Sequence, residues 1–263
     1  MLRKLFKYEF IACGRQLAPL YALTIVLAVA VRLSFMTEKF VVISMSLFTL
    51  ICTAVAVMTL VILVQRFSKN VLGEEGYLTM TLPVKISSII WAKFLNALVY
   101  IFFGMIVACV AFAIEADLYQ VLPYIFNADA WRELFGILGE IPGQVYLVMV
   151  NSVIIGILGT ACPILLAYLS MSLTQLAVAG KYRTAIACVV FVVLSIALAQ
   201  IGGHLYMNLP WERMYLLPED TTSIAACHAL NITIGISNLL LLAVSALCFV
   251  GTNYILKNKL NLE

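Results

Sequence analysis

Few residues of this chain have the types and spacing that chemistry needs, and their pattern excludes more than it supports. His204 and His228 are the only histidines. Cys227 stands beside the second, yet neither histidine has the HExxH-type spacing of a metalloprotease, and no serine–histidine dyad emerges. Both read as interfacial polar residues, and no catalytic, cofactor or metal site is expected. A nucleotide site would need Gly-x-x-x-x-Gly-Lys-Ser/Thr, whose backbone N–H groups wrap the phosphates. The single Gly-Lys pair is Gly180-Lys181; Tyr182 follows it, and Gln175 stands where the first glycine belongs. ATP hydrolysis, if the chain depends on it, belongs to another polypeptide. Ion-coupled transport would call for ionisable groups near the bilayer centre, where each costs roughly 2.5–3.5 kcal/mol on insertion scales. Lys93 and Glu115 fall at opposite ends of one apolar run and Arg32 at the end of another. The uncharged Asn96, Asn151, Thr160, Gln175, Gln200, Asn238 and Asn253 read as interhelical hydrogen-bond partners.

One polar stretch does carry a pattern. Arg66 to Lys93 reads RFSKNVLGEEGYLTMTLPVKISSIIWAK, and it is the main polar interruption between two strongly apolar runs. Glu74 and Glu75 are bracketed by Gly73 and Gly76, so the backbone can turn sharply on either side of the two carboxylates. Tyr77, Leu78 and Met80 then form a small apolar knob, and Pro83 ends it without a backbone donor. A connection between two spans needs only a few polar residues. An amphipathic one of this length is expected to dock a partner.

The elements that position these residues follow from composition. The chain has 263 residues, 64% of them hydrophobic and only 11% charged, against about a quarter charged in soluble domains. Continuous apolar runs of helix-spanning length recur, without the period-two alternation of barrel strands. The fold class is an all-α integral membrane protein with six transmembrane helices. The seven cysteines lack metal spacing and read as small core hydrophobes.

In chain order, residues 1–16 form a basic amphipathic interfacial helix, with Leu2, Phe6, Phe10 and Cys13 on one face and Arg3, Lys4 and Lys7 off it. Residues 17–263 make the six-helix domain, with spans at about 17–36, 40–64, 89–114, 145–173, 184–201 and 231–256. Pro163 removes a donor within the fourth span. Two amphipathic segments, 115–144 and 202–230, interrupt the spans. In the first, Asp129 is expected to cap a helix whose Trp131, Leu134, Phe135, Leu138 and Ile141 share a face. In the second, Gly202, Gly203, Pro210 and Pro218 break regular structure. Gating and simple capping fit these two segments equally.

Charge orients the spans. With the amino terminus cytoplasmic, Arg3, Lys4, Lys7, Arg15, Arg66, Lys69, Lys85, Lys93, Lys181, Arg183, Lys257 and Lys259 lie inside, leaving Arg32, Lys39, Arg132 and Arg213 of the 16 Lys/Arg outside. That asymmetry obeys the positive-inside rule and puts both termini in the cytoplasm.

The run EEGYLTMTLPVKISSIIWAK resembles the first cytoplasmic loop of bacterial ABC transporter permeases of the second exporter class. The literal match is local; span count and spacing extend the likeness along the chain. The resemblance implies an N-terminal "elbow" helix and a coupling helix within loop 66–88, seated in a groove of a separate cytoplasmic ABC ATPase. Gly73, Glu74, Glu75, Gly76, Tyr77, Leu78, Met80 and Pro83 would form the coupling site. It also implies a dimer with a second permease copy or paralogue, a bacterial cell-membrane location, and ATP–Mg bound on the partner, with no cofactor on this chain. Nucleic acid is not an expected partner. The cargo would be amphipathic or hydrophobic: a peptide, a lipid or a drug. A non-transporting immunity or sensor subunit on the same scaffold is the alternative reading, and a secondary carrier is a third, disfavoured by the scarcity of midplane charges.

Overall fold

A computed structural model describes residues 2–34, 41–72, 84–115, 127–140, 142–177, 182–207 and 222–258. Its helices are α1 (Leu2–Ser34), α2 (Val41–Phe67), α3 (Ile86–Glu115), α4 (Ala128–Glu140), α5 (Gly143–Ala177), α6 (Arg183–Met207) and α7 (Thr222–Asn258). A π-helical turn, Ser68–Leu72, prolongs α2, and no strand occurs among the described residues. All of these helices but α4 are long and apolar enough to cross a membrane, six in number. The chain is an all-α, multi-pass membrane protein, as its composition predicts. In lipid every backbone polar group must be satisfied within the segment, which a helix alone achieves here.

Nine hydroxyls within the spans obey the same constraint. The hydroxyls of Thr24, Thr49, Thr53, Thr59, Ser152, Ser172, Ser195, Ser237 and Thr252 each donate to the carbonyl four residues earlier. The chain divides into two compact units, Met1–Gly139 and Glu140–Glu263.

In the first unit α1 packs on α3 and α2. Two tyrosines lock α1 to α3 from opposite sides. The Tyr100 hydroxyl donates to the Phe10 carbonyl at 2.6 Å, and the Tyr21 hydroxyl donates to the Tyr100 carbonyl at 2.8 Å. Each tyrosine lies over a glycine of the facing helix. A Cβ at Gly14 would stand 2.8 Å from the Tyr100 hydroxyl oxygen, and one at Gly104 would stand 3.2 Å from that of Tyr21. A side chain at Gly14 would force the Tyr100 hydroxyl to shift, and one at Gly104 would crowd that of Tyr21. Phe10 stacks on Tyr100 at 5.0 Å between ring centroids, with Phe103 tilted against both. Further along the bundle Ala28, Phe48 and Ala111 form a buried cluster with Cys52 against it.

The expected interfacial helix 1–16 and first span are successive parts of one helix, α1. The helix runs on from Gln16 to Leu17, and Cys13 and Leu17 are buried on the same face. Pro19 lies inside α1. Asp129 does not cap α4. The Asn127 side chain accepts the Asp129 N–H at 2.9 Å, so Asn127 is the cap and Asp129 belongs to the first turn. The Trp131 ring lies tilted against that of Phe135 at 6.1 Å; the side chains of Leu134 and Leu138, and Ile141, lie outside the described residues.

In the second unit α7 packs chiefly on α5, and α6 also packs on α5. Asn231, Asn238, Ser245 and Thr252 recur at every seventh position of α7, the spacing that keeps one seam facing a partner helix. Asn238, Ser245 and Thr252 are buried. α5 continues through Pro163 to Ala177. Gly202 and Gly203 lie within α6, which runs on to Met207, and α7 begins at Thr222. The connection expected over 202–230 is thereby reduced to 208–221, outside the described residues. A glycine inside a helix costs only about 1 kcal/mol relative to alanine, which flanking apolar residues offset.

All seven cysteines are free. Cys13, Cys162 and Cys248 are buried as expected of small core residues, whereas Cys109 and Cys188 are on exposed faces of their helices.

Candidate functional site

The residues expected to couple the chain to a partner, Gly73, Glu74, Glu75, Gly76, Tyr77, Leu78, Met80 and Pro83, all lie outside the described residues. What the structure describes is their support. Of the expected loop 66–88, its first part, Arg66–Phe67, belongs to α2, and Ser68–Leu72 forms the π turn. Such a turn inserts an extra residue per hydrogen-bonded ring and is frequent at functional positions. On the other side Lys85 precedes α3, its carbonyl accepting from the Ser88 N–H at 2.9 Å. Both flanks are anchored. Phe67 and Val71 before the loop, and Ile89 and Ile90 after it, are buried in the first unit.

The two flanks meet α1 at a charged node. Lys93 Nζ donates to Glu9 Oε1 at 2.8 Å, and Arg66 Nε faces the same oxygen at 3.6 Å, an ion pair beyond hydrogen-bond length. Arg66 Nη1 instead donates to the Ala12 carbonyl at 3.1 Å. The Lys93 side chain is 7% exposed, Glu9 16% and Arg66 18%. One turn deeper, Asn96 Nδ2 lies 3.0 Å from Cys13 Sγ. One carboxylate therefore answers two partly buried cations, one from each side of the loop.

Helix lengths give the depth of this node. Glu9 to Ser34, Val41 to Arg66 and Lys93 to Glu115 each span roughly 33–38 Å at 1.5 Å per residue. A hydrocarbon core is about 30 Å thick. When the far ends of these helices lie at one bilayer boundary, the node falls just beyond the other, at headgroup level. That depth explains how three charged side chains can lie together, partly buried, at the ends of these helices.

A second polar constellation ties α5 to α7. Asn151 Nδ2 donates to Asn231 Oδ1 at 3.1 Å, Asn231 Nδ2 to the Gln144 carbonyl at 3.1 Å, and Asn238 Nδ2 to the Asn151 carbonyl at 3.2 Å. Gln144 Nε2 lies 2.6 Å from His228 Nε2. His228 is thus a bridge between helices and not an isolated interfacial residue. Asn96, Asn151 and Asn238 connect neighbouring helices as expected, while the Thr160 hydroxyl bonds back to Ile157 of its own helix. Among the described residues no group of three or more His, Cys, Asp or Glu side chains converges as a metal site.

Sequence reasoning missed Glu9, Arg66 and Lys93 as a set. The available signal was Glu9 itself, the only acidic residue before Glu38, set within an otherwise basic segment. An unexplained carboxylate among cations at the start of a span asks for a partner. The chain matches no protein-family model, no curated protein and no solved structure.

Proposed function

We propose that this chain is the membrane-spanning permease subunit of an ATP-driven ABC exporter. Loop 73–83 is its contact with a separate cytoplasmic ATPase. The observation that carries the reading is the setting of that loop. A run resembling a coupling segment, GEEGYLTMTLP, leaves and re-enters the membrane between two helices that one carboxylate, Glu9, holds together through Arg66 and Lys93. A load applied at the loop would reach α1, α2 and α3 as a body, because buried apolar residues and the node join all three. A loop that merely connects two spans has no use for such bracing. The charge asymmetry favours a cytoplasmic loop and cytoplasmic termini, on the side where an ATPase would be. Hydroxyls bonded to their own helices and spans without midplane charges suit an amphipathic or hydrophobic cargo better than an ion. The resemblance adds a second permease copy or paralogue, and a bacterial cell membrane.

The experiment is reconstitution. The purified full chain in liposomes is expected to hydrolyse no ATP by itself. Addition of an ATPase encoded beside its gene, one with a Walker motif and no membrane span, is expected to form a complex and raise turnover above that of the ATPase alone. Turnover by a preparation of the chain verified free of other ATPases would contradict the two-component reading.

A further inference from the structure

The outward face of α1 near its N-terminus has a role that neither the node nor the loop absorbs. Glu9, Phe10, Cys13 and Leu17 turn toward α2 and α3. On the other side Arg3, Lys7, Ile11 and Arg15 follow one another at four-residue spacing, with Lys4 and Tyr8 alongside, and all six are exposed. Four-residue spacing keeps side chains on one helical stripe. Tyr8 is 73% exposed and Ile11 45%. The stripe carries four cations and no carboxylate. The only acidic residue of α1, Glu9, is committed to Lys93 and Arg66. None of the four cations pairs with a carboxylate among the described residues.

Depth selects the ligand. Measured back from Ser34, Arg15 lies at about 28 Å, Ile11 at about 34 Å and Lys7 at about 40 Å along the axis. Against a hydrocarbon core of about 30 Å with headgroup layers on either side, Arg15 falls at the boundary of the acyl chains and Lys7 at the outer limit of the headgroups. Helical side chains lean toward the N-terminus, so Arg15 reaches up into the phosphate layer. Ile11 and Tyr8 lie between the two cations, within the headgroup layer.

We infer that the Lys7–Tyr8–Ile11–Arg15 stripe of α1 is a binding site for an anionic phospholipid, its phosphate held between Arg15 and Lys7 beside Ile11. The ligand is a bilayer lipid and not a soluble phosphate, because the stripe lies within the headgroup layer, where lipid phosphates are already concentrated. The site sits on the helix that carries Glu9, so an occupied site would steady the same helix that braces the loop flanks. The inference stands on α1 alone and does not depend on the exporter reading.

The test is native mass spectrometry of the full chain released from detergent containing equal amounts of dioleoyl-phosphatidylglycerol and dioleoyl-phosphatidylcholine. The parent is expected to retain phosphatidylglycerol preferentially. Replacing Lys7→Ser and Arg15→Ser together should cut that preference by roughly 25-fold, at about fivefold per surface charge. Lys7→Arg with Arg15→Lys should keep it, as should Arg132→Ser, which removes a charge that Asp129 faces on α4. Should the double serine variant not keep its helical circular dichroism, Lys7→Gln and Arg15→Gln singly are expected to lose about fivefold each. Excess inorganic phosphate should not strip the lipid. Equal retention of both lipids by the parent would overturn the inference. So would displacement by inorganic phosphate alone, or parental preference in folded neutralised variants.

Discussion

Glu9 is the side chain on which most depends, because a single oxygen serves Lys93 at 2.8 Å and Arg66 at 3.6 Å. Removing one partner of a partly buried ionic group leaves the others uncompensated, whereas replacing the pair by apolar residues is often nearly neutral. Glu9→Leu is therefore expected to destabilise the chain by about 3–5 kcal/mol. Combining it with Lys93→Met should recover most of that loss, since Arg66 keeps its bond to the Ala12 carbonyl. Thermal unfolding in detergent micelles measures both. A Glu9→Leu variant that unfolds at the parental temperature would remove the node from the account. Little of this was legible in the sequence. Arg66 and Lys93 were read for their sign alone, because an ion pair between positions 84 residues apart leaves no periodic trace. His228 was read only as an interfacial polar residue for the same reason, its partner Gln144 being equally remote in sequence.

Elements were easier to read than contacts, since a run of apolar residues declares a span without reference to any neighbour. Their ends were harder. Gly202 and Gly203 suggested a break after 201, yet α6 continues to Met207, and α2 continues through Arg66. A single glycine shifts local preference by about 1 kcal/mol, less than the cost of leaving backbone groups unsatisfied in lipid. The seven-residue spacing of Asn231, Asn238, Ser245 and Thr252 was present in the sequence, but only the facing helix reveals it as a seam. Asn231 is the most connected member, giving to the Gln144 carbonyl and accepting from Asn151. Asn231→Leu would orphan the Asn151 amide within the α5–α7 pair. The expected cost is about 1–2 kcal/mol in a membrane setting, read as a lower temperature of unfolding in detergent. Asn151→Leu added to it should cost little more, because the two share one bond. Strict additivity would show that the pair does not act as a unit.

At the scale of the whole molecule, six spans with twelve named cations on one side predict both termini and the loop around Lys69 inside, and residues 115–144 and 202–230 outside. In a cysteine-free background, a single cysteine at position 129 should react with an impermeant maleimide from outside. Labelling from the cytoplasmic side alone would invert the topology and remove the loop from any cytoplasmic partner. The span count was legible because lipid imposes one solution on apolar segments. How a partner is engaged was not, because Gly73–Pro83 is read from type and order alone. Interfaces of this kind rest on a few apolar anchors, with rim charges adjusting register and salt dependence. The central claim is that the loop transmits ATP-driven work, and the double substitution Tyr77→Ala, Leu78→Ala tests it most directly. The measurement is stimulated ATP turnover and co-purification of the ATPase with the reconstituted permease. The account predicts that the variant still inserts and dimerises, while association or stimulated turnover falls by more than tenfold, the loss of at least ~1.4 kcal/mol of anchoring. A variant that retains its ATPase and transports at the parental rate would show the loop to be a connection only, and would contradict the account.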